Sequence, residues 1–326
     1  MKPLRNVGEG PRRGLVLGGG GLLGAAWTVG ALTAIEDATG VDMRTVDHIL
    51  GTSAGAVTAA MLGAGVSVRQ LYGHQLGRPV DGPLAGYLWD YDHATGGSRP
   101  MRPRLGVGSP RLVTRNITRL RKLPPTAVLA AFLPEGRGDL RSIGDLVAAV
   151  SPDGAWSPHP GLWIVAMDYE SGRRVPFGRE GTPEAPLSEA VMASCAIPGW
   201  FAPVVIDGRR YVDGGACSAT SVDLLAGLGL DEVFVVAPAV SFSSDRPRAL
   251  LSRVERKWRV RVTRRCLRET DKLRAEGTKV TILCPGPDDL AEIGGNVMDT
   301  TRRLRVLETS VRTSAELLAS YSESAA

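Results

Sequence analysis

Two stretches decide the fold: Arg13-Gly14-Leu15-Val16-Leu17-Gly18-Gly19-Gly20-Gly21-Leu22-Leu23-Gly24 and, further on, His48-Ile49-Leu50-Gly51-Thr52-Ser53-Ala54-Gly55. Each is an apolar run that breaks at glycine and then continues into a segment rich in small and apolar residues. The first reads as a strand over 13–17, a glycine loop, and a helix over 25–38. The second reads as a strand over 46–50 and an Ala-rich helix over 53–64. Strand–loop–helix repeated in this way predicts a mainly parallel sheet covered by helices. Such sheets bind their ligands at the carboxyl ends of the strands, and both glycine motifs fall there.

Working outward, residues 161–167, 173–177, 204–206, 210–212, 232–237 and 279–283 read as further strands. Residues 139–150, 187–196, 250–274 and 296–317 read as helices, and 112–133 as one or two helices interrupted at Pro124-Pro125. Residues 77–110, rich in Gly, Pro and Arg, read as an excursion from the core, so 77–133 is expected to form a lid or wall. The expected organisation is an N-terminal arm over 1–11, one α/β domain over 12–320, and a frayed tail over 321–326. In the long basic helix, Leu251, Val254, Trp258, Val262 and Cys266 recur at steps of three or four and can share one face. That face packs on the core or touches a membrane surface.

Composition narrows the function. The chain has 326 residues, a formal net charge of +5, four cysteines and four histidines. Cys195, Cys217, Cys266 and Cys284 have no metal-ligand spacing and do not suggest a disulfide framework. No targeting or membrane-spanning run is visible, which predicts a cytoplasmic protein. Arginines crowd 99–122 and 246–274. Such runs face phosphate or solvent, and a peripheral contact with an anionic membrane fits them. No nucleic-acid recognition motif accompanies them, so no nucleic-acid partner is expected.

Gly51-Thr52-Ser53-Ala54-Gly55 fits a nucleophile elbow, in which the serine sits on a sharp strand-to-helix turn with its hydroxyl exposed. Ser53 also fits a plain helix N-cap. Gly18 to Gly21 can turn backbone N–H groups inward, as an oxyanion hole requires. Gly19, Gly21 and Gly24 equally fit the dinucleotide fingerprint, but that needs an acid ending the second strand. Here Ser53 follows the strand, and Asp47 is poorly placed. A serine needs a base. No histidine follows His159, whereas the usual α/β-hydrolase order ends on one. His48, His74, His93 and His159 therefore carry little promise. Asp213, in Asp213-Gly214-Gly215 after a strand-like run, is the leading candidate base. Asp168 is a weaker alternative, and Asp207 reads as a hairpin turn.

Together these blocks resemble the patatin-like phospholipase family, in its bacterial members. The matching pieces are Gly18 to Gly24, Gly51 to Gly55, Asp213-Gly214-Gly215, and the run Ala190-Val191-Met192-Ala193-Ser194-Cys195-Ala196-Ile197-Pro198-Gly199-Trp200-Phe201-Ala202-Pro203. The resemblance spans roughly residues 12–237, with a looser echo around 296–303. It implies a three-layer α/β/α sandwich and hydrolysis of lipid acyl esters, phospholipid or lysophospholipid, with no cofactor and no metal. It also implies Ser53 as nucleophile, Asp213 as base, Gly51 and Gly55 shaping the elbow, and an oxyanion hole from Gly19, Gly20 and Gly21. Bacterial members usually carry Arg where this chain has Leu23, so a changed loop anchor, weaker activity or a preference for less anionic substrates is expected. A weakly active or inactive lipid-binding protein on the same scaffold is the alternative, and a dinucleotide-binding enzyme a more distant one.

Overall fold

The computed structural model describes residues 10–91, 101–103, 106–115, 123–151, 154–243 and 250–325. Its strands are β1 (Arg13–Leu17), β2 (His48–Thr52), β3 (Leu162–Asp168), β4 (Arg174–Phe177), β5 (Val204–Ile206), β6 (Arg209–Asp213), β7 (Glu232–Val236) and β8 (Lys279–Leu283). They form one eight-stranded sheet of order β5-β6-β3-β2-β1-β7-β8, with β4 paired to β3. The run β3-β2-β1-β7-β8 is parallel throughout. β4, β5 and β6 pair antiparallel.

The helices are α1 (Gly21–Thr39), α2 (Ala54–Gly63), α3 (Val68–Gln75), α4 (Pro110–Arg115), α5 (Pro125–Phe132), α6 (Arg141–Val150), α7 (Leu187–Cys195), α8 (Leu250–Ala275), α9 (Pro287–Ile293) and α10 (Arg303–Ala325). Residues along each strand alternate between two cores, as the strand period of two requires. Leu15, Leu17, Ile49, Ile164 and Phe234 pack with residues of α1, α2, α7 and α10. Val16, Leu50, Val165, Val233 and Val235 pack with Cys266 and Leu273 of α8 on the other face. The result is the expected α/β/α sandwich with a mainly parallel sheet. Burial on both faces explains why these strands read as continuous apolar runs.

Helix α8 spans 250–275, close to the expected range. On its stripe Cys266 is buried and Val262 half-buried, while the side chains of Leu251 and Val254 lie outside the described residues. Helix α10 starts later than expected and runs on to Ala325, through the stretch expected as a tail. Most of the arm over 1–11 lies outside the described residues, as do parts of 77–133. The rest of that insertion includes α4 and α5. Leu112, Ala127, Ala130 and Ala131 there pack against Met167, Tyr169 and Val212 of the sheet region.

One detail of register positions the site. β2 pairs Leu162 to Val165 of β3, and β4 pairs Ile164 to Met167, so the two flank opposite edges of β3. β6 pairs Ala166 to Asp168, overlapping β4, and therefore lies on the edge that β2 uses. β2 ends with Thr52 opposite Val165, and β6 ends with Asp213 opposite Ala166. Two strands thus meet, carboxyl end to carboxyl end, on one edge of β3.

Candidate active site

At that meeting point Ser53 follows β2 and Asp213 closes β6. The Ser53 hydroxyl donates to Asp213 Oδ2 at 2.6 Å. Ser53 makes no side-chain bond to α2, so the N-cap alternative does not describe it. Its φ of 55° is a left-handed conformation that non-glycine residues seldom adopt. Such a conformation costs about 1–3 kcal/mol unless its surroundings hold it. They do: the Ser53 N–H donates to Ser194 Oγ at 2.8 Å, and Ser194 Oγ donates to Val165 O at 2.6 Å. The Ser53 carbonyl accepts from Ala56 N at 2.7 Å and from Cys195 Sγ at 3.3 Å.

The elbow glycines are fixed by close approach. A Cβ on Gly55 would stand 2.1 Å from Leu17 O, and one on Gly51 would stand 2.6 Å from Ala59 Cβ. The same holds at Gly214, where a Cβ would lie 2.3 Å from Val165 O. Asp213 is held by its own turn. Its Oδ1 accepts from Gly215 N at 2.7 Å and its N–H donates to Ala196 O at 2.9 Å. No ion pair to Asp213 exists among the described residues. Burial therefore dominates, and pushes its carboxyl up from 3.8 to about 6 against the opposing bonds from Ser53 and Gly215.

The glycine loop reaches the same point. A Cβ on Gly19 would sit 3.1 Å from Ser53 Cβ. The three expected donors are not equivalent, however. Gly19 N–H donates to Ala219 O at 2.9 Å, just as Gly18 N–H donates to Val236 O at 2.8 Å. Gly19 is spent on anchoring the loop and is not available to an oxyanion in this conformation. Gly20 and Gly21, at the start of α1, have amides without an acceptor among the described residues. Leu23 is fully buried in the core, and its N–H donates to Val297 O at 3.0 Å. Residues 296–298, the looser echo in the sequence, lie against this loop: a Cβ on Gly21 would stand 2.8 Å from Val297 Cγ2.

Two cavities open on Ser53. One is lined by Ala54, Val57, Met61, Leu71, Leu146 and other mostly apolar side chains. The other is lined by Gly19 to Gly21, Asp213, Leu129 of α5 and Trp258 of α8. Ser53, Gly21 and Ile197 belong to both walls.

The other candidates resolve into structural roles. Asp168 accepts from Glu170 N and Ser171 N and pairs with Arg209, capping a turn. Asp207 and Gly208, both with positive φ, form the turn of the β5–β6 hairpin. Asp47 accepts from Arg13 N at 2.7 Å, at the start of β1, the opposite end of that strand from the glycine loop. The ribose-binding acid of the dinucleotide alternative is therefore missing. The His48 ring lies tilted at 59° to that of Trp163, and His159 contacts Val46 O. His74 lines the first cavity, with its ring nitrogens on Tyr91 Oη and Tyr87 O, and His93 lies outside the described residues. The four cysteines are free thiols. No group of His, Cys, Asp and Glu among the described residues could hold a metal.

Two supporting residues were not singled out from the sequence. Ser194 lies inside the noted 190–203 run, but its bond to Ser53 depends on α7 crossing β3. Glu269 has no local signal. Buried on α8, it accepts from Ser218 Oγ at 3.0 Å and Thr220 Oγ1 at 2.9 Å, the residues flanking Ala219. It thereby fixes the carbonyl that holds Gly19.

The model of the patatin-like phospholipase family matches residues 15–77 and 114–226. Uncharacterized NTE family proteins of Mycobacterium tuberculosis and Mycobacterium bovis are 29% identical over 227 residues. The match takes in 70% of this chain and 49% of theirs, so the chain spans about half the length of these relatives. VipD from Legionella pneumophila aligns over 96% of this chain and 67% of its own, at 14% identity and a TM-score of 0.45. The matched segments carry the glycine loop, the elbow and Asp213, and more than half of the chain lies within them. The chain belongs to the patatin-like phospholipase family.

Proposed function

We propose that the protein is a serine acyl hydrolase that cleaves carboxylic ester bonds of lipids, phospholipid or lysophospholipid, through an acyl-Ser53 intermediate. The observation that carries this reading is the 2.6 Å bond from Ser53 Oγ to a buried carboxylate, placed where two cavities meet. Asp213 Oδ2 accepts the hydroxyl proton as Ser53 Oγ attacks the ester carbonyl. The oxygen of the tetrahedral intermediate takes its negative charge toward the Gly20 and Gly21 amides, at the positive end of α1. Collapse breaks the ester C–O bond, and the alcohol leaves with the proton from Asp213. Water then attacks the acyl-serine, returns a proton through Asp213, and releases the acid. The apolar cavity along α2 suits the acyl chain, and the cavity bounded by Asp213, Leu129 and Trp258 suits the alcohol side. A peripheral contact with a lipid surface belongs to the same reading.

A panel of phospholipid, lysophospholipid, monoacylglycerol and p-nitrophenyl esters, compared among wild type, S53A and D213A, tests it. Turnover is expected to vanish in S53A and to fall about 10²–10⁴-fold in D213A, the usual worth of a positioned base. Turnover that survives S53A overturns the assignment. Vesicle binding without any turnover favours a lipid-binding protein on the same scaffold.

A further inference from the structure

Two helices that line the cavity bounded by Asp213, Leu129 and Trp258 present unlike faces to solvent. On α5 the exposed positions are Pro125, Leu129 and Phe132, at i, i+4 and i+7. The stripe that meets solvent is thus wholly apolar, with Leu129 58% and Phe132 53% exposed. Val107, 50% exposed, extends it, because Ser109 N–H donates to Ala131 O at 3.0 Å and the chain at Gly108 abuts Leu133 O. A surface helix normally turns charge outward, so an apolar stripe beside a cavity marks a contact site.

Helix α8 contributes Trp258 to the same wall. Its solvent face carries Lys257, Arg261, Arg264 and Arg268, spaced by four, three and four residues, with the exposed Val260 among them. Lys257, Arg261 and Arg264 form no ion pair with any described residue. Of the acids of this helix, Glu255 pairs with the buried Arg259 and with Arg256, Glu269 pairs with Arg265, and the exposed Asp271 pairs with Arg274, so none of them neutralises Lys257, Arg261 or Arg264.

From this pairing we infer that α5 with Val107, and the basic face of α8, form a docking surface for a bilayer containing anionic lipid. The apolar stripe enters the interface and the cations meet lipid phosphates, the two signals that stable peripheral binding needs. The charge of the α8 face selects an anionic surface over a neutral one. Leu129 belongs both to the stripe and to the wall of the cavity that reaches Ser53, so docking through the stripe brings that cavity to the membrane. The inference rests on the lipid hydrolase reading for its purpose, but its test does not depend on turnover.

The test measures sedimentation of the S53A protein with phosphatidylcholine vesicles, with and without phosphatidylglycerol. It is repeated for V107S/F132S and for K257Q/R261Q/R264Q in the same S53A background. Phosphatidylglycerol is expected to strengthen binding, and salt to weaken it. Removing the three cations is expected to lower partitioning onto anionic vesicles about 100-fold, at about fivefold per charge. V107S/F132S is expected to lower binding at least tenfold on the same vesicles. With Ser53 restored, both variants keep their turnover of a soluble short-chain ester. Equal binding with and without phosphatidylglycerol, no binding at all, or variants that bind like their parent overturn the inference. So does a dimer that V107S/F132S dissociates while vesicle binding stays unchanged, since the stripe then covers a second copy. If wild type turns over no ester but S53A binds vesicles as expected, the hydrolase reading fails and the docking surface stands.

Discussion

At the scale of single residues, the site is a serine held in a left-handed turn and a carboxylate kept short of charged partners. Burial raises the Asp213 carboxyl to about 6, which makes it a better proton acceptor than an exposed aspartate and also sets where it fails. The kcat/KM for a soluble ester is expected to be flat above about pH 6 and to fall tenfold per unit below it. A profile still flat at pH 5 contradicts Asp213 as the base. The same shift has a stability cost. A folded pKa above the unfolded value favours the fold at low pH, and that gain is lost as pH rises through about 6. D213N is therefore expected to be more stable than wild type at pH 8, by on the order of 3 kcal/mol at most, with a smaller gap at pH 5. Urea unfolding at the two pH values reads this directly. Ser194 acts on the other partner. Ser194→Ala leaves the Ser53 N–H without its acceptor and is expected to cost about 1–3 kcal/mol, with a loss of kcat. An S194A protein as stable and active as wild type removes that role.

At the scale of elements, Ser53 and Asp213 meet because β2 and β6 share one edge of β3, and α2 then leads away from the serine along the apolar cavity. Val57 lies one helical turn from Ser53 and lines that cavity. Val57→Phe is expected to reduce turnover of long-chain esters at least tenfold relative to short ones, within the range a filled apolar pocket commands. A uniform loss across chain lengths argues against this cavity as the acyl site. The strands β1, β5 and β8 were legible to the residue, and α2, α7 and α8 to within one residue at each end, because strong apolar patterning and glycine breaks mark them, whereas α1 begins at Gly21, inside the stretch read as a glycine loop. Helices α3 and α9 were not read. Val68–Gln75 is short and polar, and Pro287–Ile293 is a two-turn segment behind a proline. Both take their place from packing against longer elements. Likewise the elbow and Asp213 carried local signatures, whereas the diversion of the Gly19 amide to Ala219 depends on a loop far along the chain.

At the scale of the whole molecule, the two helical layers are joined through the site. Glu269 on α8 grips Ser218 and Thr220, Ala219 between them grips Gly19, and Gly19 opens α1 on the other side of the sheet. Glu269→Gln is expected to keep the fold and the KM for a soluble ester while lowering kcat tenfold or more, since a small misplacement of donors is costly. Unchanged kcat in a folded E269Q protein means that the loop is held by other contacts. The central claim is that this junction activates Ser53 as a nucleophile. The most direct measurement is reaction with a fluorophosphonate, followed by mass-spectrometric location of the adduct in wild type, S53A and D213N. One adduct is expected, on Ser53, absent from S53A and formed far more slowly in D213N. A folded wild-type protein that forms no adduct, or an adduct that persists in S53A, contradicts the claim.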